Sequence, residues 1–216
     1  MSRIAIIGGH GKVALHLSRL LSGQGHQVSS LIRNPEHAAE VAGTGATPVV
    51  ADVEQLGIEE LATRIEGHDA LIWSAGAGGG NPARTYAVDR DAAIRSMDAA
   101  QEAGVSRYVM ISYFGARLDH GVPREDPFHA YAEAKAAADS YLEGTFLSWT
   151  ILGPSALTLD PGTGRIEVGE DLAPGRVSRQ DVARVAAAVL DMPETVGRFI
   201  AFNNGDTPID QALRSL

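Results

Sequence analysis

Apolar residues along this chain come in short runs separated by polar turns and by stretches in which apolar positions recur every three to four residues. The runs Arg3 to Ile7, Gln27 to Ile32, Thr47 to Val50, Ala70 to Ser74, Arg107 to Ser112 and Leu147 to Leu152 have strand length. Three of them contain uninterrupted apolar stretches, IAII, ALIW and YVMI. Strands apolar on both faces belong in a parallel sheet covered by helices on either side. Between the runs, Val13, Leu17, Leu20 and Leu21 form one helical stripe, and Ala92, Met97, Ala100 and Ala103 form another. The alternation predicts an α/β fold, a Rossmann-like doubly wound parallel sheet.

After Leu152 the pattern shifts to a short strand at Arg165 to Val168, a helix near Arg179 to Leu190, a strand around Arg198 to Phe202 and a terminal helix from about Ile209. This appendage is too small for a core of its own. Residues 1–216 are therefore expected to form a single domain, with 152–216 as its substrate-side portion. Three segments interrupt the alternation: Ala75 to Pro82, Phe114 to Pro127 and Pro154 to Pro174. Each follows the C-terminal end of a strand, the edge at which open α/β sheets bind ligands.

The first strand runs directly into Gly8 Gly9 His10 Gly11 Lys12 Val13 Ala14. Glycine at 8 permits a tight turn, glycine at 11 lets the backbone approach a diphosphate, and the small Ala14 allows close helix-strand packing. The helix that follows presents free N–H groups to phosphate, and Lys12 adds a charge. The end of the second strand reads Leu31 Ile32 Arg33 Asn34, with no acid before Glu36. A carboxylate there would hold the ribose hydroxyls of NAD; Arg33 instead suits the 2′-phosphate of NADP by charge and forked geometry. Asp52, beside Val53, fits either an adenine contact or a helix N-cap.

Composition narrows the partners. A net charge of −9 and a pI near 5.2 argue against a duplex nucleic-acid binder. The absence of cysteine removes disulfides and thiolate chemistry, and no apolar stretch approaches the ~20 residues of a membrane span. With the glycine loop so near Met1, a cytoplasmic protein is expected, with a small-molecule substrate and a monomeric or homodimeric state. The seven histidines suggest no metal site.

Only two of the eighteen basic side chains are lysines, Lys12 and Lys135. Lys135 follows Tyr131 by four positions, one face of a helix. A neighbouring ammonium would favour the phenolate and bring tyrosine into the range of a general acid or base. Ser112 is placed to hydrogen-bond a substrate oxygen. Tyr113 and Phe114, next in line, suit either an apolar substrate wall or plain packing. Trp73 and Trp149, in apolar strands, are expected in the core, and Tyr141, Leu142 and Phe146 are expected to pack under the same helix.

Taken with Ser74 Ala75 Gly76 Ala77 Gly78, Val88 Asp89 Arg90 Asp91, Ala103 to Val109 and Thr150 to Pro154, the chain resembles the atypical NAD(P)H-binding branch of the short-chain dehydrogenase/reductases, the epimerase/dehydratase-like group. That resemblance implies an NADP(H)-preferring oxidoreductase, NAD(H) being the lesser cofactor, that acts on a small carbonyl, quinone-like or planar acceptor. It implies Tyr131 as proton donor or acceptor, Lys135 on the nicotinamide ribose, and Ser112 and Asp89 as partners. Ser74, Ala75, Gly76, Ala77 and Ile111 would line the cofactor, with Leu152, Gly153, Pro154 and Ser155 close to the nicotinamide. Two departures stand out: Asp89 where tetrad enzymes carry asparagine, and Gly153 where the branch often has arginine. The alternative is an NADP(H)-sensing protein that acts through a partner.

Overall fold

A computed structural model describes residues 1–169 and 172–216. The elements follow as β1 (Arg3–Ile7), α1 (Lys12–Gly23), β2 (Gln27–Ile32), α2 (Ala38–Ala42), β3 (Thr47–Val50), α3 (Ile58–Ile65) and β4 (Ala70–Trp73). Next come α4 (Pro82–Thr85), a π-helical turn over Tyr86–Ala92, α5 (Ala93–Glu102), β5 (Arg107–Ile111), α6 (His129–Glu143) and β6 (Ser148–Pro154). The chain ends with β7 (Ala156–Thr158), β8 (Arg165–Val168), β9 (Arg176–Ser178), α7 (Arg179–Ala188), β10 (Arg198–Asn204), β11 (Thr207–Pro208) and α8 (Ile209–Arg214).

One sheet takes the order β11-β8-β10-β6-β5-β4-β1-β2-β3, parallel from β3 through β10 and antiparallel at β8. This is the Rossmann-like arrangement expected, and the order reverses between β1 and β4, where such sheets leave a ligand crevice. The fully apolar strands acquire their meaning here. Ile4 and Ile6 of β1 enter a core with α1 and α7, whereas Ala5 and Ile7 enter a second core with α3, α5 and α6. Alternate side chains of one strand thus feed both faces.

Local chemistry sets the helix ends. The N-terminus of α1 has Gly11 in extended conformation with no side-chain cap, and its C-terminus closes on Gly25 at φ +86°. At α3 the Glu60 carboxylate accepts the Gly57 N–H at 2.9 Å.

Several expectations change. Asp52 caps no helix: its Oδ1 accepts the Glu54 N–H at 3.1 Å in a turn, because α3 starts only at Ile58. The sixth and tenth strands run to Pro154 and Asn204, and the segment after Pro154 holds β7, which pairs in parallel with β9 in a two-stranded ribbon. Of the loop read as Pro154 to Pro174, Glu170 and Asp171 lie outside the described residues. Leu142 and Trp73 are buried as expected, but Trp149 is only partly so, Tyr141 lies on the solvent side of α6, and Phe146, in the turn after α6, is fully exposed. No helix among the described residues is long and apolar enough to cross a membrane.

Candidate functional site

Register aligns the strand ends. Ile7, Trp73, Met110 and Ile151 lie in one lateral row, so Gly8, Ser74, Ile111 and Leu152 follow together at the C-terminal edge of the sheet. A cavity of about 280 Å³ opens there, lined by Gly8, His10, Gly11, Arg33, Asp52, Val53, Ser74, Ala75, Gly76, Arg84 and neighbours. Gly8 has φ +82°, and a Cβ on it would stand 2.6 Å from the Ala75 backbone. Gly9 packs as tightly, with a virtual Cβ 2.5 Å from the Ser30 Cβ. The loop passes so close to the chain after β4 at Gly8 and to β2 at Gly9 that a side chain at either would clash. Val13 is buried under the loop, while Lys12 is exposed and does not line the cavity. Lys12 therefore contributes at most a charge near the helix start.

At the far end of the cavity Arg33 is paired. Its Nη1 donates to Glu54 Oε1 at 2.9 Å, and Arg84 donates to the same oxygen from Nη2 at 2.9 Å and from Nε at 3.3 Å. Burial pushes the Glu54 carboxyl up, but the two guanidiniums outweigh it and hold it below its ordinary value. Arg84 also donates to the Ala77 carbonyl, tying the loop after β4 to the loop after β3. His10 bonds Glu40 at 2.7 Å and stacks on His37 with ring centroids 3.5 Å apart. Glu54, Arg84 and His37 escape a reading of the sequence because only the fold brings them to Arg33 and His10.

The candidate catalytic residues gather beyond this cavity, under α6 and the π-helical turn. Asp89, Lys135, Asp139 and Ser112 are all buried. Lys135 Nζ donates to the Ile111 carbonyl at 2.9 Å and contacts Met110 Sδ at 3.1 Å. Burial drives the Lys135 ammonium below its ordinary pKa, against the pull of Asp139 and Asp89. Asp89 Oδ2 accepts the Ala77 N–H at 3.0 Å, and its Oδ1 has no partner among the described residues. The position accepts from the loop backbone, a role an asparagine oxygen would fill equally well. Burial raises the Asp89 carboxyl despite Lys135, the Ala77 N–H and Arg84.

Tyr131 departs from expectation. Burial comes first and the Asp89 and Asp139 carboxylates second in raising its phenol pKa, so the phenolate is disfavoured. Lys135 does not offset this: its ammonium donates to the Ile111 carbonyl and does not lower the Tyr131 phenol. A protonated Tyr131 can donate a proton but is a poor base. Around it, Tyr113, Phe128 and Tyr131 form an aromatic cluster, with Tyr113 edge-on to Phe128 at 5.2 Å and Tyr131 tilted 5.6 Å and 5.2 Å from the two rings. Phe128 is a further residue the sequence reading missed.

The Ser112 hydroxyl donates a short hydrogen bond to Asp139 Oδ2, and Ser112 N–H donates to the Leu152 carbonyl at 2.8 Å. Asp139 was overlooked although a signal existed, since Tyr131, Lys135 and Asp139 repeat at four-residue spacing on one helical face. Leu152, Pro154 and Ser155 are buried at the edge, and Ser155 Oγ is taken by the Gly175 N–H at 3.1 Å. Gly153 has a steric reason: a Cβ would lie 2.6 Å from the Phe199 ring, leaving no space for arginine. His120 and His129 meet at 5.3 Å, but His129 Nδ1 bonds the Val122 carbonyl and His120 Nδ1 accepts the Val122 N–H. No group of three ligands is arranged for a metal ion among the described residues.

These residues fit a dinucleotide. The uncapped start of α1 and the glycines that open it can hold a diphosphate, Ser74 to Gly76 form the floor, and Arg33 with Arg84 stands at the adenosine end. When bound, a nicotinamide dinucleotide supplies or accepts hydride.

A family profile described as NAD(P)H-binding matches residues 8–193. The uncharacterized sugar epimerase YhfK of Bacillus subtilis is 35% identical over 216 residues, covering 99% of this chain and 100% of that protein. An NAD-dependent epimerase/dehydratase-type structure from Bacillus halodurans superposes with a TM-score of 0.92 at 30% identity, covering 100% of both chains. The oxidoreductase ylbE from Lactococcus lactis gives a TM-score of 0.89 at 30% identity, covering 99% of this chain and 96% of that one. The chain therefore belongs to the NAD(P)H-binding family and is similar to its epimerase/dehydratase-like members.

Proposed function

We propose that the protein is an NADP(H)-dependent oxidoreductase that transfers hydride to or from a small carbonyl, quinone-like or planar acceptor. The observation that carries this reading is that buried Ser112 and Lys135 lie with the half-buried Tyr131 at the same sheet edge as the glycine cavity. A hydride acceptor would lie against the Tyr113, Phe128 and Tyr131 rings, whose flat surfaces suit a planar molecule. Tyr131, held protonated, serves as the acid in the reducing direction; Ser112 holds the substrate oxygen, and Lys135 and Asp89 support the cofactor side. NADP is favoured over NAD because two guanidiniums, both paired with Glu54, flank the expected adenosine end.

The test is NADPH oxidation with 9,10-phenanthrenequinone, menadione and a set of small aldehydes. Turnover should collapse in Tyr131→Phe while NADPH affinity stays within about twofold, the limit for a group that acts only in the transition state. Turnover that survives the change removes Tyr131 as the acid. Arg33→Ala should weaken NADPH about tenfold, the scale of one charge-assisted hydrogen bond, and leave NADH nearly unchanged. Equal loss for both cofactors removes the phosphate assignment.

One observation favours a second reading, a cofactor-sensing protein: the Lys135 ammonium is bound to Ile111 and Met110 and does not lower the Tyr131 pKa. Tight NADPH binding with no oxidation by any acceptor in the panel would select it.

A further inference from the structure

Asp139 has no task in the reaction proposed above, yet it is built into the centre of the cluster. It sits one helical turn beyond Lys135 and two beyond Tyr131, on the face of α6 that points at the end of β5. Its Oδ2 accepts the Ser112 hydroxyl, while its Oδ1 is buried without a hydrogen-bond partner among the described residues. A serine hydroxyl owns one proton and two lone pairs. While Asp139 is a carboxylate, that proton is committed to Oδ2, and Ser112 can offer a substrate only lone pairs. Once Asp139 is protonated, the carboxyl group donates to Ser112 Oγ, and the serine proton is free to point elsewhere.

We infer that Ser112 and Asp139 form a reversible hydrogen-bond chain that donates to a carbonyl oxygen when Asp139 is protonated and accepts from a hydroxyl group when Asp139 is ionised. Asp139 is then a positioning residue that matches the site to the oxidation state of its substrate. The inference rests on the reading of Ser112 as the contact for the substrate oxygen.

The surroundings make both states accessible. Lys135 and Glu143 face Asp139 from α6, Ser112 and Tyr113 from beyond β5, and Tyr108 from β5, with Tyr131 above; Asp89 reaches Lys135 and Tyr131 from the π-helical turn. Burial lifts the Asp139 carboxyl, the Lys135 ammonium and the Ser112 hydrogen bond pull it back, and Glu143 raises it, with a balance at about 6. A change of one pH unit near neutrality therefore shifts the donor or acceptor character of Ser112.

Two measurements test this. The first needs neither cofactor nor substrate: carboxyl titration of the intact protein by 13C NMR, with the Asp139 signal assigned by its absence in Asp139→Asn. The expected midpoint is about 6, moving upward in Ser112→Ala because the carboxylate loses a donor. A midpoint below about 5, or one unchanged in Ser112→Ala, overturns the inference. The second measurement is the pH profile of kcat/KM for NADPH oxidation by 9,10-phenanthrenequinone. Wild-type activity should fall towards tenfold per pH unit above the midpoint, as the protonated fraction does. Asp139→Asn keeps an N–H donor on Ser112 at every pH, so the ratio of variant to wild type should climb about twenty-five-fold between roughly pH 5.5 and 7.5. A ratio that is the same at every pH marks a structural residue and overturns the inference. Absence of wild-type turnover refutes the reductase reading instead, and the Ser112→Ala titration shift then decides the chain by itself.

Discussion

Gly8 and Gly11 belong to one loop but answer to different constraints, and paired alanine substitutions should separate them. Gly8 has φ +82°, and its virtual Cβ lies 2.6 Å from both the Cα and the N of Ala75 and 2.8 Å from the Ser74 carbonyl carbon. All three are backbone atoms that cannot rotate aside. The left-handed conformation costs an alanine roughly 1–2 kcal/mol, and the forced shift of packed backbone adds roughly 1–3 kcal/mol. Gly8→Ala should therefore lose about 3 kcal/mol, which for a chain of this size lowers Tm by roughly 10 °C. Gly11 has φ −62° and ψ 148°, open to any residue, and its virtual Cβ meets only the Gly8 carbonyl oxygen at 3.2 Å, the Ser74 carbonyl oxygen at 3.6 Å and the Ala14 Cβ at 4.0 Å. Gly11→Ala should cost less than about 1 kcal/mol of stability, the range of a substitution without backbone strain. It nonetheless places a methyl group beside the diphosphate approach, and NADPH affinity should fall at least about tenfold, or ~1.4 kcal/mol. Urea unfolding and fluorescence titration with NADPH read the two quantities separately. If Gly11→Ala unfolds as readily as Gly8→Ala, or binds NADPH like the wild type, the division of labour assigned to the loop is wrong.

The remaining expectations concern the buried cluster and its edge. Gly153→Ala should destabilise by about 1–3 kcal/mol through contact with the Phe199 ring, and Phe199→Leu should relieve that cost in a double-mutant cycle; additive costs would show that the clash is elsewhere. Lys135→Met removes the cation that offsets two buried carboxylates and should cost about 3–5 kcal/mol at neutral pH. The cost should shrink at about pH 5, because Asp139, with its pKa raised to about 6, is then mostly protonated; urea midpoints showing an equal cost at both pH values would refute the coupling. Asp139 folds with its pKa raised from 3.8 to about 6, so its contribution to stability is full below the lower value and is lost as pH rises through the upper one. Asp139→Asn lacks that titration, and the stability of wild type minus variant should decline across this window. A flat difference would place Asp139 in a more polar setting than its burial indicates.

Much of the fold is written in local pattern. Runs such as IAII and ALIW mark strands covered on both faces, and the glycines between β1 and α1 mark the turn that a diphosphate site needs, because backbone sterics and side-chain periodicity act over a few residues. Tyr131 and Lys135 were legible for the same reason, as neighbours on one helical turn. Asp139 was equally available by that spacing but looked like an ordinary polar position until its burial was known.

What the sequence by itself determined is thus the strand and helix order, the glycine loop and which side chains are candidates for chemistry. Only the tertiary structure decided their electrical state. Arg33 meets Glu54 across 21 positions, Arg84 meets Glu54 across 30, and Ser112 meets Asp139 across 27, distances that sheet register and helix packing close and local pattern cannot predict. The sequence pointed to a tyrosine made acidic by lysine. The fold made it a half-buried, desolvated phenol near two carboxylates, because desolvation and charge depend on what surrounds a group in space.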